Sequence, residues 1–177
     1  MISGVSCDLR NAGDIKNNGE SEKRKQIVTN EYLTVTKVID GDTFKMSDGS
    51  KVRLTGIDTP EKYDSDKLSR QSELTGRDKE TIKKLGEAAS EFVRKLVEGK
   101  RVTLVKDEGY EDKDRYDRLL RYVYLEDGTF VNAKIIEEGY ANVYNAASIS
   151  KINEFRRLER EARENKRGLW GEVDGLK

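Results

Sequence analysis

Three short runs of alternating, β-branched residues, separated by Asp-Gly turns, constrain the fold of this chain more than any other feature. The runs extend from Tyr32 to Ile39, from Thr43 to Met46 and from Lys51 to Thr55. Such alternation is typical of half-buried strands, and Asp48-Gly49 is a strong signal for a hairpin between the second and third runs. The sequence therefore predicts a three-stranded meander.

Helices and two further strands are predicted in the rest of the chain. Apolar residues at helical spacing predict a helix from Leu85 to Val97, a short helix from Val131 to Glu138 and a longer helix from Ser150 to Lys166. Two β-branched runs, Arg101 to Val105 and Leu120 to Leu125, are expected to be strands. The polar stretch 62–84 has no clean period and is expected to be a loop with about one helical turn.

Five short strands with an interposed helix fit an α+β fold that is mainly a β barrel, a five-stranded OB-fold Greek-key barrel with about three helices packed on it. Periodicity by itself establishes only a single α+β domain. Residues 31–177 are assigned to this domain. Residues 1–30 carry many Asn, Gly, Ser, Glu and Lys side chains, so we expect a disordered polar tail there.

The absence of histidine excludes several hydrolytic chemistries. With no histidine in the sequence, Ser-His-Asp hydrolases, His-based nucleases and zinc sites with histidine ligands are ruled out. Proton transfer must therefore use a carboxylate, a lysine, a tyrosine or a metal-bound water. The 34 basic and 34 acidic residues give a formal net charge of zero. Proteins that bind nucleic acids are usually basic, so this balance is weak evidence against nucleic-acid binding.

The N-terminal region leaves two interpretations open. Cys7 is the only cysteine, so an intramolecular disulfide is excluded. Ser3 to Cys7 fits, imperfectly, the end of a lipoprotein signal, which would imply a lipid anchor at Cys7 and a secreted or cell-envelope location. The alternative is a chance cysteine near the start of the chain. No run of 18 apolar residues occurs, so no transmembrane segment is expected.

Two aspartates and an arginine are expected to meet at one end of the predicted hairpin. If Asp48-Gly49 forms the turn, Phe44 lies opposite Arg53, and both share a face with Asp42. Asp58 follows the end of the return strand. Two close carboxylates repel each other unless a cation lies between them, and ligands that are all oxygens favour Ca²⁺ or Mg²⁺.

The same segments offer groups for phosphate binding and proton transfer. Arg53 and Arg118 could bind phosphate oxygens in a bidentate manner, and Glu61 is the nearest carboxylate that could accept a proton from water. Each signal alone has an ordinary structural explanation, since Asp-Gly-Asp is usually a turn and an arginine in a charged loop is usually solvated. Their joint occurrence is more specific.

Four motifs in order resemble those of the staphylococcal nuclease-like, or thermonuclease, family. They are Val38-Ile-Asp-Gly-Asp-Thr43, Arg53-Leu-x-Gly-Ile-Asp-Thr-Pro-Glu61, Asp114-Arg-Tyr-Asp-Arg118-Leu-Leu-x-Tyr-Val-Tyr and Val131-Asn-x-x-Ile-Ile-x-x-Gly-Tyr-Ala141. The resemblance covers Tyr32 to Trp170. It implies an OB-fold barrel with one Ca²⁺ in the active site.

The resemblance also implies a role for each matching residue. Three positions match the family's metal ligands, two through carboxylates and one through its backbone carbonyl: Asp42, Asp58 and Thr59. Three match the phosphate-binding arginines and the glutamate usually assigned as general base: Arg53, Arg118 and Glu61. The positions that match contacts to a bound nucleotide, the last with a spacing that differs by one residue, are Arg115, Tyr116 and Tyr144.

The chain departs from the family at two places. Asp117 stands where the family usually has glycine, and the stretch from Lys62 to Lys84 is longer than in the best-known members. Two acids in this stretch, Asp64 and Asp66, could reach the metal, although solvated loop acids are the more common case.

The predicted function is a Ca²⁺-dependent endonuclease that cuts DNA and RNA with low sequence specificity, acting as a monomer on single-stranded or frayed regions. Glu61 assists the attack of water on phosphorus, while Arg53, Arg118 and the metal stabilise the developing charge. The family resemblance implies products with 3′-phosphate ends. The alternative is a non-catalytic OB-fold module that binds nucleic acid or protein, and the intact set of acids and arginines discriminates against it.

Overall fold

A computed structural model describes residues 32–144 and 148–172. The predicted tail over residues 1–30 and the proposed anchor at Cys7 lie outside these described residues. Within them, no helix is long and apolar enough to cross a membrane.

The structure contains a closed barrel of five strands in the order β1-β2-β3-β6-β5, which confirms the α+β class and the five-stranded barrel. Neighbouring strands are antiparallel except β3 and β6, which are parallel. A separate two-stranded sheet joins β4 to β7. The elements in chain order are β1 (Leu33–Asp40), β2 (Thr43–Met46), β3 (Lys51–Leu54), β4 (Ile57–Asp58), α1 (Asp66–Thr75), α2 (Lys79–Val97), β5 (Arg101–Val105), β6 (Leu119–Leu125), α3 (Val131–Glu137), β7 (Asn142–Val143), α4 (Ile152–Glu164) and α5 (Leu169–Glu172).

The expectation of a loop over residues 62–84 is wrong, because α1 and the first part of α2 occupy it. Both helices begin with a side-chain cap: Ser65 Oγ accepts from Leu68 N at 3.1 Å, and Asp78 Oδ1 accepts from Thr81 N at 2.9 Å. Leu68 is the one buried residue of α1. A ten-residue helix with a single buried side chain has no apolar period that sequence reading could detect. The structure therefore has five helices rather than three in its described residues.

The hairpin between β2 and β3 differs by one residue from the predicted register. Thr43 pairs with Arg53, and Phe44 pairs with Val52. The turn takes an additional residue, in which Gly49 has φ +88° and Asp48 Oδ1 accepts from Ser50 N at 2.9 Å. A one-residue shift in register exchanges the two faces of a strand. Phe44 and its partner Val52 therefore share a face, on which both are fully buried, and Phe44 does not share a face with Arg53.

A buried asparagine ties the end of β3 to the neighbouring strand. Asn132, in α3, is fully buried; its Nδ2 donates to Thr55 O at 3.0 Å, and its Oδ1 accepts from Val123 N at 3.0 Å. Both contacts satisfy backbone groups that would otherwise be buried without partners. Asn132 thereby holds the barrel end from which β3 leads into β4.

A glycine after α3 allows the C-terminal segment to approach. Gly139 has φ +78°, and a Cβ there would overlap the backbone carbonyl of Arg167 and approach Trp170.

We expect Gly139→Ala to lower the free energy of unfolding by about 1–3 kcal/mol through backbone strain alone, and further through this overlap. Chemical denaturation measures the change. Gly128→Ala is the matched control, because Gly128 has φ +85° with nothing within 4 Å; equal losses in both variants would contradict the steric part.

Candidate functional site

Asp42 lies at the centre of a cluster of charged side chains at one end of the barrel. It sits in the turn between β1 and β2 and is only 3% exposed. Its Oδ2 forms an ion pair with Arg53 Nη1 at 3.0 Å and accepts from Thr59 N and Oγ1 at 3.1 and 3.2 Å. Burial would raise the pKa of Asp42, but the charges of Arg53 and then Lys67 outweigh it and lower that pKa. Asp42 is therefore ionised, and its charge is stabilised by Arg53, Lys67 and Thr59.

The same guanidinium joins Asp42 to the second aspartate. Arg53 Nη2 donates to Asp58 Oδ1 at 3.1 Å, and Nη1 donates to Leu54 O at 3.2 Å. Burial opposes ionisation of Arg53, but Asp42 and Asp58 raise its pKa. The predicted proximity of the two aspartates and Arg53 is present, although the predicted strand register is not. Asp42 and Asp58 both reach Arg53 despite the one-residue shift in register, because the long arginine side chain spans the distance between neighbouring strands.

Three protein oxygens at this cluster fit a hard divalent cation. The Asp42 carboxylate accepts from the N–H and hydroxyl of Thr59, and the ammonium of Lys67 lies 2.9 Å from Asp58 Oδ1 and 3.5 Å from the Thr59 carbonyl oxygen. A cationic group thus already rests against two of these oxygens. Among residues 32–144 and 148–172, no group of three or more His, Cys, Asp or Glu side chains is arranged to hold a metal. Two carboxylates and a carbonyl, completed by water, are a donor set that suits a hard cation such as Ca²⁺ or Mg²⁺.

The backbone of Glu61 is fixed by both neighbouring helices. Its N–H donates to Gln71 Oε1 in α1 at 3.0 Å. In α2, a Cβ on Gly86 would meet the carbonyl oxygens of Pro60 and Glu61 at 2.7 and 2.8 Å, so only glycine allows this approach. The Glu61 side chain is 17% exposed, and its Oε2 lies 3.9 Å from Lys67 Nζ. Glu61 therefore presents a partly solvated carboxylate from a rigid segment beside Asp58 and Thr59.

Arg118 is held just before β6 by an aspartate of its own loop. Its Nε and Nη2 contact Asp114 Oδ2 at 2.7 and 2.6 Å. Burial would raise the pKa of Asp114, but the hydrogen bonds from Arg118 and Tyr116 lower it. Arg118 Nη1 also donates to Thr43 Oγ1 at 3.3 Å, and Thr43 Oγ1 donates to Asp42 Oδ1 at 3.1 Å. Thr43 thus links Arg118 to the aspartate cluster.

Comparison with known proteins identifies the family of this chain. The family described as staphylococcal nuclease homologue matches residues 51–172. The chain belongs to the staphylococcal nuclease family. The matched range includes Arg53, Asp58, Glu61 and Arg118. Asp42 precedes that range, and its ion pair with Arg53 joins it to the matched residues.

Relatives of this nuclease homologue come from distant organisms. An uncharacterized protein of Methanocaldococcus jannaschii is 34% identical over 148 residues, which is 78% of this chain and 71% of that protein. An uncharacterized endonuclease of Escherichia coli O157:H7 is 34% identical over 143 residues, with 79% and 77% covered. The thermonuclease of Staphylococcus intermedius is 37% identical over 130 residues, with 72% and 68% covered.

The residues matched to nucleotide contacts lie on exposed loops. Tyr116 is 64% exposed, and the guanidinium carbons of Arg115 and Arg118 lie 4.8 and 5.4 Å from the centre of its ring. Tyr144 is 47% exposed, and its N–H donates to Gly56 O at 3.0 Å, just before β4. These loops place aromatic and cationic groups in solvent.

The departures from the family pattern have structural explanations. Asp117 has φ +61°, a left-handed conformation that glycine adopts freely and aspartate tolerates better than most residues. The loop closes around Arg118 with aspartate at this position. In the longer stretch, Asp64 pairs with Lys83 Nζ at 2.8 Å with its side chain 82% exposed, which corresponds to a solvated loop acid. Asp66 is exposed in the first turn of α1.

Sequence reasoning missed four residues that shape the site. Asp40 stands in the Asp-Gly-Asp motif, accepts from Asp42 N at 3.1 Å, and has its pKa raised to about 7 by burial and then by the charge of Asp42. Asp114 opens a motif in which sequence reasoning assigns roles only to Arg115, Tyr116 and Arg118. Lys67 and Gln71 lie four residues apart on one face of α1, a signal that becomes readable only once that stretch is known to be helical.

Proposed function

We propose that this nuclease hydrolyses the phosphodiester bonds of DNA and RNA with low sequence specificity, in a Ca²⁺-dependent reaction. The observation that carries the proposal is the convergence of Asp42 and Asp58 on Arg53. Thr59 is bonded to Asp42, and Arg118 is joined to Asp42 through Thr43. Such an arrangement combines an anionic donor set for a cation with two guanidinium groups for a phosphate.

In this proposal the residues divide the work by their position. Asp42, Asp58 and the Thr59 carbonyl would hold Ca²⁺, which would neutralise charge on the phosphate. Arg53 and Arg118 donate to the phosphate oxygens, which gain negative charge as the fifth bond to phosphorus forms. Glu61, a partly exposed carboxylate near Lys67 and Asp58, accepts the proton of the attacking water. The bond between phosphorus and the 5′ oxygen then breaks, which leaves a 3′-phosphate and a 5′ oxygen that takes up a proton from solvent.

Substrate selection follows from the surrounding groups. Contacts to phosphate carry no sequence information, and exposed rings such as Tyr116 and Tyr144 can stack on any base. We therefore propose that single-stranded or frayed regions are preferred, because their bases are free to stack. With a formal net charge of zero, long-range attraction of the substrate is weak, and local phosphate contacts make binding salt-sensitive.

Digestion of heat-denatured DNA and of RNA in the presence of Ca²⁺ tests the proposal, with labelled products analysed for 3′-phosphate ends. We expect both polymers to be cut to short products. Binding of both polymers without cleavage would contradict the proposal and favour a non-catalytic OB-fold binding module.

We also propose a monomeric state, a secreted or cell-envelope location and a lipid anchor at Cys7. Sedimentation analysis tests the first, and cell fractionation followed by mass measurement of the N-terminal peptide tests the others.

Asp114→Asn tests whether the orientation of Arg118 matters for turnover. An amide in place of the carboxylate turns an N–H donor toward the guanidinium and removes the charge that holds it at 2.6–2.7 Å. Misplacement of a catalytic group by about 1 Å can cost about 10²-fold, so we expect kcat to fall by about 10- to 100-fold. Steady-state kinetics measure it, and Asp112→Asn, which removes the exposed partner of Arg121 at 2.8 Å, is the control. Similar losses in both variants would contradict the role of Asp114.

A further inference from the structure

Lys67 places its ammonium among the oxygens proposed to hold the cation. Its Nζ lies 2.9 Å from Asp58 Oδ1, 3.5 Å from Thr59 O and 3.9 Å from Glu61 Oε2. The first two are oxygen-bearing groups of the proposed metal site, and the third belongs to the proposed general base. No other lysine of the described residues forms an ion pair with Asp58 or Glu61.

The helix that carries Lys67 is anchored on both sides of it. Ser65 caps α1 by accepting from Leu68 N at 3.1 Å, and Leu68 is 1% exposed. One turn after Lys67, Gln71 Oε1 accepts from Glu61 N at 3.0 Å. The backbone of Lys67 is therefore fixed against the Thr59–Glu61 segment, and its side chain has only its own rotamers to explore.

The charges explain why a cation rests there. Asp42, Asp58 and Glu61 bring three negative charges, against which Arg53 supplies one positive charge. Lys67 offsets part of the remainder. A divalent ion would bind these oxygens at about 2.3–2.6 Å, so it and the ammonium cannot occupy the same side of Asp58, and their positive charges repel each other.

We propose that Lys67 is an internal competitor for the divalent cation, so that the metal must displace its ammonium from Asp58 in order to bind. This inference rests on the proposed metal site. Lys67 then raises the cation concentration at which the site fills. It compensates the acids of the metal-free protein, and cation binding is weakened by the free energy of the Lys67–Asp58 contact that must be broken. The four-carbon stem is long enough to carry the ammonium toward solvent, where its side chain is already 40% exposed.

Calorimetric titration of the protein with CaCl₂ tests the inference without any measurement of activity. Lys67→Met removes the charge and keeps most of the stem, and we expect it to bind Ca²⁺ about tenfold more tightly than the unaltered protein, which corresponds to about 1.4 kcal/mol. Lys67→Arg restores a cation, so its Kd should stay within about threefold of the unaltered value. Lys83→Met is the matched control, because Lys83 pairs with the exposed Asp64 at 2.8 Å and should leave the Kd unchanged. Circular dichroism checks that each variant is folded.

Three outcomes would overturn the inference. An equal or weaker Ca²⁺ affinity in Lys67→Met would show that the ammonium does not compete. An equal gain in Lys83→Met would show a general effect of net charge. Absence of Ca²⁺ binding in both the unaltered protein and Lys67→Met would reject the proposed metal site, and the inference with it, whereas binding that is indifferent to Lys67→Met rejects the inference alone.

Discussion

Removal of divalent cations with a chelator is expected to abolish cleavage. Without a bound cation, Asp42, Asp58 and Glu61 surround the reaction position with negative charge that Arg53 and Lys67 only partly offset, and this charge opposes the approach of a phosphate. A divalent cation supplies several kcal/mol of transition-state charge stabilisation. Since each 1.36 kcal/mol changes a rate tenfold, we expect turnover to fall on the order of 10³-fold or more.

The measurement is the rate of digestion of denatured DNA before chelation, after chelation and after Ca²⁺ is added back. Thermal melting in chelator is the control for folding, and we expect the protein to stay folded because internal ion pairs partly compensate the acids without a metal. An undiminished rate in chelator would rule out the proposed mechanism.

Glu61→Gln is expected to give a folded protein that binds nucleotide with Ca²⁺ and cuts very slowly. Glutamine has nearly the same shape but cannot accept the proton, and its backbone N–H can still donate to Gln71 Oε1. Loss of a general base typically costs on the order of 10²- to 10⁴-fold in rate. Because the interaction belongs to the transition state, the loss should appear in kcat rather than in substrate affinity.

Asp64→Asn is the matched control for Glu61→Gln. Asp64 lies three residues after Glu61, but its side chain is 82% exposed and pairs with Lys83. The turnover of Asp64→Asn should therefore stay close to that of the unaltered protein. Retention of more than about a tenth of the turnover in Glu61→Gln, far above the typical loss for a general base, would reject the role of Glu61. A large loss in Asp64→Asn would then move the role to that acid.

The two arginines of the 114–118 loop should separate binding from catalysis. Arg118 contacts Thr43, next to Asp42, so Arg118→Ala should lower kcat by about 10²- to 10³-fold, as loss of a well-placed charge donor does. Arg115 lies over the exposed ring of Tyr116, so Arg115→Ala should mainly raise KM. Equal effects on kcat in the two variants would contradict this division.

Sequence alone determined those features that depend on local chemistry. The alternating runs specify strands, because side chains of period two fit a half-buried sheet, and together with the motifs they predicted the five-stranded barrel. The meeting of Asp42, Arg53 and Asp58 was expected from a register that places Asp42 and Arg53 on one face of the hairpin, and it occurs although the true register differs by one residue. Membership of the nuclease family followed from motif order, which needs no coordinates.

Tertiary structure alone decided the contacts between distant segments. The register of β2 against β3 places Phe44 in the core, opposite Val52. A turn in which Asp48 accepts from Ser50 N stabilises this register. Helix α1 carries one buried side chain, so it is defined by its cap and by its contact with Glu61 rather than by a pattern. Lys67 reaches Asp58 only because that helix docks there. Ion pairs form between residues that are distant in sequence. The sequence of a polar helix face therefore does not show whether that face contacts solvent or an active site.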